Sequence, residues 1–148
     1  MKTLALNSKA RHEFRFEKIY EVGLSLLGAE VKSIREGRIA IADAFVLIRG
    51  NNFYLVNAHI APYSKSSQNL DPYRERLVLI TNKEREEIKN SLNQRHFSLV
   101  PLKIYDKGGY IKMNIGLAKK IKEKEKKQKL KEKAQKREAE REIKNLGL

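Results

Sequence analysis

The chain has 148 residues, 41% of them apolar, which is room for one domain with a proper core and not for two. Its 32 Lys and Arg against 18 Asp and Glu give a net charge of +14, a field that favours polyanionic partners. The lack of cysteine excludes disulfides, thiolate metal sites and a cysteine nucleophile, and no apolar run nears the roughly 20 residues of a membrane span, so a soluble cytoplasmic protein with no membrane association is expected.

In chain order, the even positions from Phe14 through Phe16, Tyr20, Val22 and Leu24 to Leu26 are apolar or aromatic apart from Lys18, and period two over that length predicts a strand. Residues 29–34 read as a second short strand, followed by a basic turn at 35–38 in which Gly37 tolerates positive φ. Residues 45–49 and 53–60 form a hairpin around Gly50-Asn51-Asn52. Residues 61–76, with Pro62, Pro72 and three serines, read as a long loop. A short strand at 77–80 precedes Thr81 and Glu84, whose spacing is that of a capping box. It opens the one convincing helix, with the Arg85 stem, Ile88 and Leu92 inward. Residues 97–105 and 110–117 make a second hairpin, with Ile111, Met113, Ile115 and Leu117 on one face. Seven short strands and one helix predict a mainly β fold, a small antiparallel barrel of the OB type over residues 1–118.

Beyond residue 118 the pattern changes. Residues 119–148 hold 13 of the basic and 6 of the acidic side chains, so a fifth of the chain carries half the net charge. The run cannot form an apolar stripe, yet it uses good helix formers and places Glu123 with Lys127, and Glu132 with Lys136, at supportive spacing. A tail that is disordered or partly helical when free, and helical on a polyanion, is expected.

Convergent catalytic groups are scarce. The three histidines, His12, His59 and His96, are not spaced as a metal cluster, no nucleophile motif stands out, and Gly108-Gly109-Tyr110 lacks the pattern of a phosphate loop, so neither enzyme activity nor a metal or other cofactor is expected. Basic residues recur instead beside rings and turns: Lys9, Arg11 and His12, then Lys32, Arg35 and Arg38, then Arg74 and Arg76 next to Tyr73. Cations fix phosphates and rings stack on unpaired bases, so these are the candidate RNA contacts. His59, inside an apolar strand, reads as structural.

Several motifs in order carry a more specific resemblance. Asn7 with Ala10-Arg11-His12, the stretch from Gly28 to Arg38 followed by Asp43, Ala58 to Tyr63, Asp71 to Arg76, Leu99 to Leu102 with Tyr105, and Gly116 to Lys119 together resemble the bacterial SsrA-binding protein family, also called small protein B or SmpB. The resemblance implies an OB-type barrel that clasps the tRNA-like domain of transfer-messenger RNA and helps deliver it to stalled ribosomes for trans-translation. It implies RNA-binding roles for Glu21 and Leu79. It also implies a tail that enters the empty mRNA path near the decoding centre and becomes helical there, engaging through Lys119, Lys120, Lys122, Glu125, Lys126 and Lys127. Elongation factor Tu and alanyl-tRNA synthetase are implied as partners through the RNA complex. Departures from the family pattern include Ala44-Phe45 for Ser-Tyr, and Glu125-Lys126-Lys127 for Asp-Lys-Arg. The competing expectations are a general ribosomal or structured-RNA-binding module with a basic extension, and an RNA-modifying enzyme.

Overall fold

The alternation at residues 110–117 builds the backbone of the molecule. A computed structural model of the chain describes residues 1–63, 70–94 and 97–121. Its elements are β1 (Lys2–Leu6), α1 (Ser8–Glu13), β2 (Phe14–Leu24), α2 (Gly28–Arg35), β3 (Ile39–Ala40), β4 (Phe45–Arg49), β5 (Asn52–Val56), β6 (His59–Ile60), β7 (Arg76–Leu79), α3 (Asn82–Gln94), β8 (Ser98–Lys107) and β9 (Tyr110–Lys120). Seven strands form one sheet in the order β1-β8-β9-β2-β7-β5-β4, every neighbouring pair antiparallel, and β3 and β6 form a small separate ladder. The sheet curls until β4 lies against β8. The fold is therefore mainly β and antiparallel, as expected, with α3 its longest helix.

Both expected hairpins form. The β8–β9 turn has Gly108 at φ 58° and Gly109 at φ 87°, the pair of positive values that a tight two-residue turn requires. Inside the curl, Val22, Leu24, Phe53, Leu55, Val78, Ile104, Met113 and Ile115 pack with Ile88 of α3. Thr81 Oγ1 accepts the Glu84 amide at 3.3 Å, so the capping box opens α3 where its spacing placed it.

The alternation of β2 does not run unbroken. Its register against β9 shifts between Phe16 and Lys18, and the extra residue turns the strand over. Tyr20, Val22 and Leu24 face the main core, whereas Phe14 and Phe16 pack on the outer side with Ala10 of α1, Val100, Leu102 and Ala118. A second shift, between Pro101 and Lys103, lies in β8, where a proline can give no ladder hydrogen bond. Gly116 sits between the two irregularities. A Cβ there would meet Phe16 Cδ1 at 2.5 Å, so only glycine lets the ring approach the strand this closely.

Residues 29–34, expected as a strand, are helical. The buried members of α2 are Glu30, Ser33 and Ile34, which is i, i+3, i+4 spacing, and the Glu30 carboxylate accepts the Leu27 amide at 3.0 Å. Gly37, with φ 76°, closes the helix. Its amide bonds Ile34 O at 2.9 Å and the Arg38 amide bonds Ser33 O at 2.9 Å, a Schellman ending in place of a strand turn. Three short elements had no sequence expectation: β1, an edge strand, β3, which pairs with β6, and α1, whose cap Asn7 accepts the Ala10 amide at 3.2 Å and donates to Pro101 O at 2.9 Å.

Glu30 also anchors the segment before β7. Arg76 is 1% exposed and Glu30 3%. Arg76 Nε donates to Glu30 at 2.8 Å, its Nη1 to Ala58 O at 2.8 Å and its Nη2 to Pro72 O at 3.1 Å, while Arg74 bonds the same carboxylate. Burial by itself raises the Glu30 carboxyl, but hydrogen bonds from Arg74, the Leu27 amide and Arg76 outweigh it and hold it below its ordinary 4.5. Replacing Glu30 with Leu strands Arg76 and should cost about 3–5 kcal/mol in denaturant unfolding, with Glu30→Leu, Arg76→Met together costing less than the single change. Because the folded value is depressed, the contribution of Glu30 is complete above pH 4.5 and is lost as pH falls through the folded value. Thermal melts across that window should therefore fall more steeply for the native chain than for Glu30→Gln.

Candidate nucleic-acid interface

The register of β9 assembles one outer face. Asn114 lies between Glu21 of β2 and Lys103 of β8, and Lys112 lies between Gly23 and Tyr105. Gly23 is in turn opposite Leu79 of β7. Glu21 and Leu79, far apart in sequence, thus share one face, and Leu79 is 51% exposed there. Gly23 leaves the space that the Leu79 side chain uses, at 3.3 Å from where a Cβ would sit.

Glu21 is held on both oxygens. The Tyr105 hydroxyl donates to its carboxylate, Lys107 Nζ lies 3.2 and 3.3 Å from its two oxygens, and Asn114 Oδ1 stands 2.9 Å from the same hydroxyl as a second acceptor for its one proton. The Tyr105 hydrogen bond, then Lys107, holds the Glu21 carboxyl below its ordinary range. Burial, then Glu21, pushes the Tyr105 phenol well above its own, so the hydroxyl keeps its proton and donates it. The result is an oriented anion whose side chain stays 42% exposed, so it has acceptor capacity beyond its two protein partners. Such a group accepts from base amino groups and ribose hydroxyls, and an exposed leucine beside it offers an apolar contact.

Toward α1 the face opens into a cleft of about 310 Å³ whose lining includes Leu6, Ser8, Arg11, Ile19, Lys103 and Asn114. Lys103 Nζ also stands over the Tyr105 ring, 5.2 Å from its centroid. Arg11 of α1 is thereby joined to Glu21 through Lys103 and Asn114, in one strip from α1 to β7. His12, half-buried, and Lys9 ride on the same short helix, Lys9 Nζ lying 3.5 Å from Asp43.

The other expected cations are dispersed. Lys32 Nζ stands 5.3 Å from the Tyr63 ring centroid, and Arg35 donates to Gly109 O at 2.9 Å and lies 3.4 Å from Asp106. Arg38 is exposed just beyond α2. Arg76 is a correction: its guanidinium is spent on Glu30 and two carbonyls inside the protein, so it positions backbone and cannot meet a phosphate. Arg74 shares that carboxylate and keeps partial exposure, 35% for its side chain. Lys119 and Lys120, expected in the tail, are strand residues paired with Arg15 and Phe14, and the buried Ile121 donates its amide to Glu13 O at 2.8 Å. The expectations for Lys122, Glu125, Lys126 and Lys127 lie outside the described residues. His59 rests edge-on to Tyr73, ring centroids 5.1 Å apart.

Sequence reasoning gave no site role to Lys103, Lys107, Lys112 and Asn114, and noted Tyr105 only as part of a motif. The signal was present, because the alternation that put Ile111, Met113 and Ile115 inward assigns Lys112 and Asn114 to the opposite face. Among the described residues, no three His, Asp or Glu side chains are grouped to hold a metal, and no helix is long and apolar enough to cross a membrane.

Comparison with known proteins agrees with this architecture. Residues 4–145 match the family model described as SmpB protein. The chain is 43% identical over 143 residues to the SsrA-binding protein of Psychrobacter sp. strain PRwf-1, covering 95% of this chain and 90% of that one. It is 41% identical over 145 residues to the SsrA-binding protein of Halothermothrix orenii, covering 97% and 94%. Its fold superposes with a TM-score of 0.66 on a chain at 39% identity from the structural work "tmRNA-SmpB: a journey to the center of the bacterial ribosome", covering 80% of this chain and 85% of that one. On the family model, the near-full-length relatives and the shared fold, the chain belongs to the SmpB family of SsrA-binding proteins.

Proposed function

We propose that this protein is a non-catalytic adaptor that binds the tRNA-like domain of transfer-messenger RNA on its Glu21–Leu79 face and carries it to stalled ribosomes in the cytoplasm for trans-translation. The observation that carries the reading is the Glu21 carboxylate, oriented by Tyr105 and Lys107 beside exposed Leu79. A surface built only to attract phosphate has no use for a fixed anion, whereas one that reads particular bases or riboses does. Lys9, Arg11 and His12 on α1, with Lys32, Arg35, Arg38 and Arg74 farther off, supply the phosphate contacts. In this reading the segment from Lys122 onward enters the vacant message path of the ribosome, with Glu125, Lys126 and Lys127 engaging ribosomal RNA. Elongation factor Tu and alanyl-tRNA synthetase join through the RNA they share.

The alternative, a general structured-RNA binder, is favoured by one fact, that residues 119–148 hold half the net charge. Competition between a tRNA-like transcript and an unrelated hairpin at fixed salt separates the two, because phosphate contacts alone do not discriminate. Glu21→Gln should weaken binding of the tRNA-like transcript about 10- to 100-fold and leave the hairpin unchanged. Simple electrostatics predicts the opposite sign, since the change removes a negative charge from a polyanion binder. Tighter binding of both RNAs by the variant would therefore refute the reading.

The tail has its own test. A chain ending at Ile121 keeps every described strand and should still bind the tRNA-like transcript, with a shallower salt dependence, while failing in a ribosome-rescue assay. Charge reversal at Lys126 and Lys127 should weaken ribosome engagement more than free-RNA binding. Equal losses in the two affinities would contradict the assignment.

A further inference from the structure

Tyr110 is 72% exposed at the tip of the β8–β9 hairpin, where a large ring stands mostly in water. Single exposed rings are common on soluble proteins and by themselves ask for no explanation. Three further features set this one apart.

The tip is braced. Asp106 Oδ1 accepts the Gly109 amide at 3.0 Å, and the Arg35 guanidinium, reaching across from α2, donates to Gly109 O at 2.9 Å and lies 3.4 Å from Asp106 Oδ2. The ring also belongs to the face already described. Tyr110 pairs with Lys107, and it alternates with Lys112 and Asn114 on the same side of β9. Lys107 contacts the Glu21 carboxylate directly, so Tyr110 continues the strip past Glu21 to the end of the sheet. Lastly, cations lie on its strand pair, Lys107 opposite it and Lys112 two positions along. A ring on a rigid mount, with cations beside it and a hydrogen-bond acceptor farther along, is the arrangement by which sheets hold unpaired bases.

We infer that Tyr110 is a stacking platform for an unpaired nucleobase of the RNA held on the Glu21–Leu79 face, with Lys112 meeting a flanking phosphate while Lys107 stays on Glu21. The inference rests on the RNA-binding reading above. It adds a subsite at the hairpin tip that takes any base with an open π-face, while specificity stays with Glu21. The phenol hydroxyl has no necessary part in stacking.

The test uses the full chain with Tyr110→Ala, Tyr110→Phe and Tyr110→Trp. Alanine should weaken binding of a tRNA-like transcript about 5- to 50-fold, while phenylalanine and tryptophan stay within about 2-fold of the native chain. The melting temperature and the salt dependence should not move, since the ring is exposed and uncharged. Native affinity in the alanine variant, or a phenylalanine variant as weak as alanine, overturns the inference. The emission of the Tyr110→Trp variant decides stacking separately, with an unstructured RNA hexamer as probe: quenching supports the platform and unchanged emission overturns it. Failure of the native chain to prefer the tRNA-like transcript over a hairpin would instead remove the proposed function, whatever the hexamer shows.

Discussion

The register of β9 between β2 and β8 is the constraint on which the rest of the molecule depends. Side chains of a strand alternate between faces, so a slip of one residue would exchange the core row, Met113, Ile115 and Leu117, for the outer row, Lys112, Asn114 and Gly116. Two irregularities, near residues 17 and 102, sit on either side of Gly116, and the Phe16 ring fills the space that its missing Cβ leaves. A slipped register would put a side chain under that ring. The lock that sets the hydrophobic core therefore also aligns Glu21, Asn114 and Lys103, and the outer face proposed to bind RNA is a by-product of correct packing.

Charge is used in two different ways. On the outer face, Glu21 and Lys107 are exposed enough that solvent screens them, and their value lies in orientation more than in stability. Around Glu30 the same residue types are buried, and there the charge organises backbone: it caps α2, fixes the carbonyls of Ala58 and Pro72, and aligns the start of β7. β7 carries Leu79 to its place opposite Gly23. The buried network and the exposed face are thus mechanically connected through one four-residue strand, although no atom is shared between them.

The end of β9 matters for the same reason. The strand continues through Lys120, and the buried Ile121 donates its amide to Glu13 at the end of α1, so the last described residue is fixed beside that helix. His12 and Arg11 lie on that helix. A tail that engages a second RNA surface, as proposed, would then start next to the cationic residues of α1, in place of a joint at residue 118.

Much of this was legible in the sequence by itself. Period-two patterning named both hairpins and the inward residues Met113, Ile115 and Leu117, turn glycines gave the β8–β9 connection, the Thr81 and Glu84 spacing opened α3, and ordered motifs identified the family. These signals are local or nearly so, and local physics writes them directly into residue order. What tertiary structure decided was everything set by partners distant in the chain. Residues 29–34 are helical because Glu30 is drawn inward by Arg74 and Arg76, more than forty positions away, and not because of any strong propensity. Arg76 looks like any surface arginine until that pairing buries it. The break in β2 is invisible because an unpaired residue leaves no mark on composition. Glu21 and Leu79 come together only through the register of three strands, and in a sheet it is long-range pairing, not residue identity, that decides which side chains become neighbours.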